Sequence, residues 1–158
     1  GWFRGRLEWG TMALGNRSIF ASPFAPYVLE NLNQFLKYRE AHRTYGLAVR
    51  LEDVPLFFEG SLSSPYMECE YTFRDPSRFC SVLPLGIDRV RVQTIDYSQP
   101  FLRDLLAKFG EATGVPVLVN TSFNGFHEPI VCSPRDAVRV FYGTGLDMLV
   151  TGSFVIRK

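Results

Sequence analysis

Apolar residues recur along this chain with two periods, and the changes of period mark its elements. After Pro26, Val28, Leu29, Leu32, Phe35 and Leu36 fall at helical spacing. The stripe stops near the basic run Lys37-Tyr38-Arg39, which predicts a helix carrying cations at its C-terminal end. A second helix is predicted from Ser98–Pro100, with Phe101, Leu102, Leu105, Leu106 and Phe109 on one face, a charged face opposite and a stop by Gly110 or Gly114. The third has Ser133 as N-cap, Pro134 at the first position and Asp136 in the first turn, then Val138 and Phe141 before Gly143 and Gly145. Strand patterns fall at Trp2-Phe3, 17–21, 47–51, 67–73, 89–95, 115–119, 148–150 and 155–156. The proline-, glycine- and serine-rich stretch 53–65 reads as a surface loop packed down by Leu56, Phe57 and Phe58. Strands outnumber helices, and the pattern predicts one α/β domain over residues 1–158, a mixed sheet flanked by helices.

The densest chemistry follows one of these strands. In Gly114-Val-Pro-Val-Leu-Val-Asn-Thr-Ser-Phe-Asn124 an apolar run ends in Asn120, Thr121, Ser122 and Asn124. Buried strands of α/β sheets deliver side chains to ligands at such ends. The same residue types also make ordinary turns, so this segment alone leaves turn and pocket open.

Composition narrows the function classes. The 158 residues are 46% hydrophobic and 21% charged, enough for a sizeable core and unlike a disordered chain. A formal net charge of +1 gives no global field for nucleic acid or anionic membrane, so any anion site must be a local cluster. No apolar run approaches the roughly 20 residues that span a bilayer, and the first residues do not form a signal peptide, which points to a soluble, cytoplasmic protein. The three cysteines, Cys69, Cys80 and Cys132, lack C-x-x-C spacing and are read as reduced core or near-core thiols. The opening Gly-Trp-Phe without Met suggests a C-terminal piece of something longer.

Three further segments carry charge. Between Gly5 and Ser18, three glycines punctuate a stretch bearing Arg6, Arg17 and Glu8; backbone could approach a ligand there, or Glu8 could pair an arginine to hold a tight turn. Lys37, Arg39 and Arg43 place three cations within seven residues, able to grip a phosphate or to form a solvated face, with Glu40 positioned to orient a guanidinium. In Arg89-Val-Arg-Val-Gln93, alternation puts Arg89, Arg91 and Gln93 on one face, pointing at water or lining a site.

In this order, Trp2-Phe3-x-Gly-Arg-x-Glu-Trp-Gly-x-x-Ala-Leu-Gly-Asn-Arg-Ser-Ile19, Lys37-x-Arg-Glu-x-x-Arg43, Arg91-Val-Gln-Thr94 and Val115-Pro-Val-Leu-Val-Asn-Thr-Ser-Phe-Asn124 with Glu128-Pro-Ile-Val-Cys132 closely resemble the C-terminal, YrdC-like domain of the nodulation and antibiotic-tailoring O-carbamoyltransferases. The resemblance implies a YrdC-like fold that binds carbamoyl phosphate and ATP, with Mg²⁺ accompanying the nucleotide, and makes carbamoyl adenylate. It implies as partner an N-terminal threonylcarbamoyltransferase-like domain, holding a metal not expected in this chain, which passes the carbamoyl group to an acceptor hydroxyl. Carried over residue by residue, Lys37 and Arg39 resemble the Lys-x-Arg pair of YrdC-like proteins, Ser122 and Asn124 their Ser-x-Asn motif, and Arg43 and Arg91 further basic positions. Lys37, Arg39, Arg43, Arg91 and Ser122 are thus the candidate catalytic residues. Asn120, Thr121, Asn124 and Arg17 are the candidate substrate-binding ones.

The chemistry suits such residues. Cations would offset repulsion between two phosphate-bearing substrates, and neutral Ser122 and Asn124 would orient the carbamoyl group without adding charge. No dedicated carboxylate cage for Mg²⁺ is visible, and no triad makes Ser122 a nucleophile. One departure matters: where the family usually has Gly-Pro-Arg-Ala-Leu-Gly, this chain has Gly10-Thr-Met-Ala-Leu-Gly15, replacing a cation by Met12. The alternative expectation is therefore a catalytically degenerate nucleotide- or anion-binding or scaffolding module of the same fold.

Overall fold

A computed structural model describes residues 1–158 and contains one mixed sheet of nine strands flanked by helices. The strands are β1 (Trp2–Phe3), β2 (Arg17–Ala21), β3 (Gly46–Arg50), β4 (Phe58–Glu59), β5 (Glu70–Phe73), β6 (Arg89–Ile95), β7 (Val117–Ser122), β8 (Met148–Thr151) and β9 (Phe154–Arg157). The α-helices are α1 (Val28–Glu30), α2 (Val54–Phe57), α3 (Pro100–Thr113) and α4 (Pro134–Gly143). Strand order is β4-β5-β6-β3-β7-β2-β1-β8-β9; β3 runs parallel to β6 and β1 to β8, and the other neighbours are antiparallel.

The two longest helices form where their end signals lie. Ser133 Oγ accepts from Asp136 N while Asp136 Oδ2 accepts from Ser133 N, a reciprocal cap for α4. Gly114 ends α3 with φ 79°, a conformation that glycine adopts without a Cβ penalty. The helix predicted after Pro26 differs: α1 passes at once into a π-helix over Asn31–Leu36, closed by Lys37 N donating to Leu32 O at 2.9 Å. The stretch 53–65, expected as a loop, holds α2 and β4. Strand β7 begins two residues later than its apolar run predicts and continues through Asn120, Thr121 and Ser122, which pair with Phe20, Ile19 and Ser18 of β2. Asn120, Thr121 and Ser122 are therefore strand rather than turn, and Asn124 lies just past the strand's end.

The sheet separates two cores. On one face α1, the π-helix and α4 cover a large cluster that includes Val28, Leu32, Leu36, Val140, Phe141 and the aromatic group Phe57, Phe58, Tyr71, Phe73 and Phe79. On the other, α3 lays Leu102 and Leu106 over Ala48, Ile95 and Leu118. Side chains alternate along a strand, so that second face continues from Ile95 to Gln93 and Arg91 and from Leu118 to Asn120 and Ser122. Cys69 is half-buried, but Cys80 and Cys132 are exposed, a correction to the expected near-core thiols.

Candidate functional site

Beyond the end of α3 the uncovered sheet face opens into a cleft of about 440 Å³. Its wall is built from separated segments: Thr11, Met12 and Ala13 of the loop before β2, Arg39 and Arg43–Gly46 at the entry to β3, Met67 and Glu70, Arg89–Arg91 of β6, and Asn120, Thr121 and Ser122 of β7. Four guanidinium groups, Arg39, Arg43, Arg89 and Arg91, thus face one carboxylate, Glu70. Gly46, paired with Asn120, lets the Met67 side chain close over the floor, since a Cβ there would meet Met67 Sδ at 2.5 Å and displace it.

The π-helix explains how two neighbouring cations acquire different tasks. It turns Asn33 fully inward, where Nδ2 donates to Ala41 O and Arg43 O and Oδ1 accepts from Arg39 Nε and Tyr45 OH. Arg39 also lies over the Tyr45 ring, 4.2 Å from its centroid. Only its Nε is spent on Asn33, so the two terminal nitrogens remain to meet an anion in the cleft. Tyr38, between the two cations, has φ 46°, a left-handed conformation that sends Lys37 and Arg39 in different directions.

Lys37 is buried, and Nζ donates to Ser122 O at 2.6 Å and Asn124 Oδ1 at 2.6 Å, with longer contacts to Asn124 O at 3.3 Å and Ser122 Oγ at 3.5 Å. Burial pushes the ammonium down to about 7, and the nearby Arg39 charge adds to the fall. Asn124 is equally committed: its Oδ1 also accepts from Ser122 Oγ and its Nδ2 donates to Glu128 O. Lys37 and Asn124 therefore hold the end of β7, and of this trio Ser122 is the one that lines the cleft.

Asn120 lies on the cleft floor, with Nδ2 donating to Ala13 O and Gln93 Oε1. The loop carrying Met12 and Ala13 is fixed by Glu8, whose Oε1 accepts from the backbone nitrogens of Leu14, Asn16 and Arg17. That resolves the two roles open for Glu8: it holds a turn, through backbone amides rather than an arginine ion pair. Arg17, a sequence candidate for substrate binding, is placed elsewhere. It is buried, donates to Arg4 O, Asn16 O and Gly5 O, and stacks on Phe3 at 3.7 Å. These bonds leave Arg17 tying the β1–β2 connection, outside the cleft.

Of the candidate residues the structure brings Arg39, Arg43, Arg91, Asn120, Thr121 and Ser122 into one cleft, sets Lys37 and Asn124 behind it and leaves Arg17 apart. Arg43 meets Glu40 at 3.4 Å with both side chains largely exposed. Asn33, Tyr45 and Glu70 were not among the candidates, and Arg89 and Gln93 were left open between water and a site. Asn33 had a signal, a polar residue on the apolar stripe between Leu29 and Leu36, and Arg89 and Gln93 shared the Arg91 face of their strand. No group of three or more His, Cys, Asp or Glu side chains that could hold a metal ion is found. The donor set thus offers no cage for Mg²⁺.

A family model described as Carbamoyltransferase C-terminus matches residues 1–158. The chain belongs to this carbamoyltransferase C-terminus family. Among relatives, it is 39% identical to nodulation protein NolNO of Sinorhizobium fredii, over 100% of this chain and 24% of the relative. It is 37% identical to nodulation protein NolO of Bradyrhizobium diazoefficiens, over 100% of this chain and 30% of the relative. It is 34% identical to 3'-hydroxymethylcephem-O-carbamoyltransferase of Amycolatopsis lactamdurans, over 96% of this chain and 29% of the relative. The carbamoyltransferase C-terminus chain thus spans less than a third of the length of these relatives. No helix is long and apolar enough to cross a membrane.

Proposed function

We propose that this domain binds carbamoyl phosphate and ATP in the arginine-lined cleft and joins them into carbamoyl adenylate, which a separate threonylcarbamoyltransferase-like domain uses to carbamoylate an acceptor hydroxyl. The observation that carries this reading is the convergence of Arg39, Arg43, Arg89 and Arg91 with the neutral Asn120, Thr121 and Ser122 in one cleft. Guanidinium groups suit oxyanions that repel each other, and each charge-assisted bond contributes about 1.5–3 kcal/mol. Neutral amides and hydroxyls suit an uncharged carbamoyl end.

In the net reaction one water is consumed: carbamoyl phosphate loses inorganic phosphate, the carbamate oxygen forms a bond to the α-phosphorus of ATP, and pyrophosphate leaves. Arg39 and Arg91 neutralise charge on the equatorial oxygens, while Ser122, held by Lys37 and Asn124, orients the carbamoyl group. Mg²⁺ would accompany the nucleotide phosphates rather than sit in a protein cage.

Calorimetry with carbamoyl phosphate and with a nonhydrolysable ATP analogue tests the reading. Heat is expected with each ligand and at least about a tenfold loss of affinity in Arg91→Ala; no heat with either overturns it. The second reading, an anion-binding module without catalysis, is favoured by one observation: Met12, standing where the family usually has arginine, lies in the cleft wall. Binding without product would support that alternative.

A further inference from the structure

Two buried side-chain amides beneath the cleft have their orientations dictated by the backbone. Leu14 O can only accept a hydrogen bond, so Gln93 must turn Nε2 toward it, at 2.8 Å. That leaves Gln93 Oε1 facing Asn120, and Ala13 O is a second acceptor on the same side. Asn120 must therefore present Nδ2 to both, at 2.7 Å and 3.1 Å. Its remaining atom, Oδ1, is buried and has no partner, although Asn120 is only 2% exposed. An unpaired acceptor in a folded core is uncommon, and Asn120 lies here on the floor of a cleft whose charged lining is four arginines and one carboxylate, Glu70.

We propose that Gln93 is a positioning residue: it locks the Asn120 amide with its carbonyl oxygen unpaired at the cleft floor, so that the cleft selects a ligand whose uncharged end carries an N–H donor over an isostere that lacks one. This rests on the reading that the cleft takes carbamoyl phosphate, whose amide supplies such a donor while acetyl phosphate presents a methyl group of similar size. A site built to receive a hydrogen bond rejects an analogue without it, because the buried polar atom is then left bare. Gln93 does not line the cleft, so its influence passes through Asn120. Without Gln93 Oε1 the Asn120 amide keeps one anchor, Ala13 O, in place of two and can rotate away from the ligand.

The test is the ratio of dissociation constants for acetyl phosphate and carbamoyl phosphate, measured by calorimetry on the full chain. The unsubstituted chain is expected to favour carbamoyl phosphate by about tenfold or more. Gln93→Met should bring the ratio to within about twofold of unity. Gln93→Leu, which likewise removes the acceptor toward Asn120 with an apolar side chain, should collapse the ratio in the same way and makes the test if the Met variant does not fold. A purely structural role for Gln93 would weaken both ligands by the same factor and leave the ratio unchanged, which overturns the inference while the proposed function stands. Failure of the unsubstituted chain to bind carbamoyl phosphate overturns both.

Discussion

Lys37 gives the most quantitative prediction, because its burial and its hydrogen bonds pull its energetics in opposite directions. Lowering the ammonium from its ordinary 10.5 to about 7 corresponds to about 5 kcal/mol spent on keeping that charge inside. The folded pKa is the depressed one and the group is a base, so the unfolded chain binds the extra proton between about 7 and 10.5. Stability therefore rises with pH across that window, and the penalty is complete below it. For pKa values of about 7 and 10.5 the rise between pH 7 and pH 9 is about 2 kcal/mol. Lys37→Met removes the titrating group while filling similar volume.

Urea unfolding followed by the fluorescence of half-buried Trp2, at constant ionic strength and pH 7, 8 and 9, should show wild-type stability gaining about 2 kcal/mol on the variant across the series. Parallel stability curves for the two proteins would refute the reasoning, since Lys37 would then titrate alike in folded and unfolded chains.

Other substitutions separate the cleft from its supports. Met12→Arg should tighten binding of carbamoyl phosphate by about tenfold, corresponding to one recovered charge-assisted contact, and calorimetry reads it directly. Arg17→Met should lower the unfolding free energy by about 2–4 kcal/mol, because three carbonyl acceptors lose their donor, with the loss visible in denaturant midpoint rather than in ligand stoichiometry. Ser133→Ala removes half of the α4 cap and should cost about 1 kcal/mol in the same assay. Gly46→Ala should push the Met67 side chain aside at the cleft floor, read as a lowered melting temperature.

The elements with local signals were legible in the sequence, and those made by distant partners were not. Ser133, Pro134 and Asp136 announce α4 within a single turn, and Gly114 announces the end of α3. The π-helix carries no local pattern, since Asn33 is drawn inward by carbonyls of residues 41 and 43 and by Tyr45 and Arg39. Asn120 to Ser122 look like a turn by composition, yet they are strand because Phe20, Ile19 and Ser18 pair with them from a hundred residues earlier. Alternation placed Arg89 and Arg91 on one face, and the third dimension was needed to bring Arg39 and Arg43 to that face. Lys37 was read as part of a charged cage, whereas its donors turn to Ser122 and Asn124, an arrangement fixed by the left-handed Tyr38 that no spacing rule reveals.

In the proposed reaction the arginine cleft joins the carbamoyl group of carbamoyl phosphate to the AMP moiety of ATP, with release of inorganic phosphate and pyrophosphate. Phosphorus NMR of the chain with carbamoyl phosphate, ATP and Mg²⁺ tests it most directly. Pyrophosphate should appear only when both substrates are present, matched by an equal amount of inorganic phosphate above that released by carbamoyl phosphate alone, and at least about tenfold more slowly in Arg91→Ala. Pyrophosphate released without carbamoyl phosphate, or no pyrophosphate from the unsubstituted chain or from Met12→Arg, would contradict it.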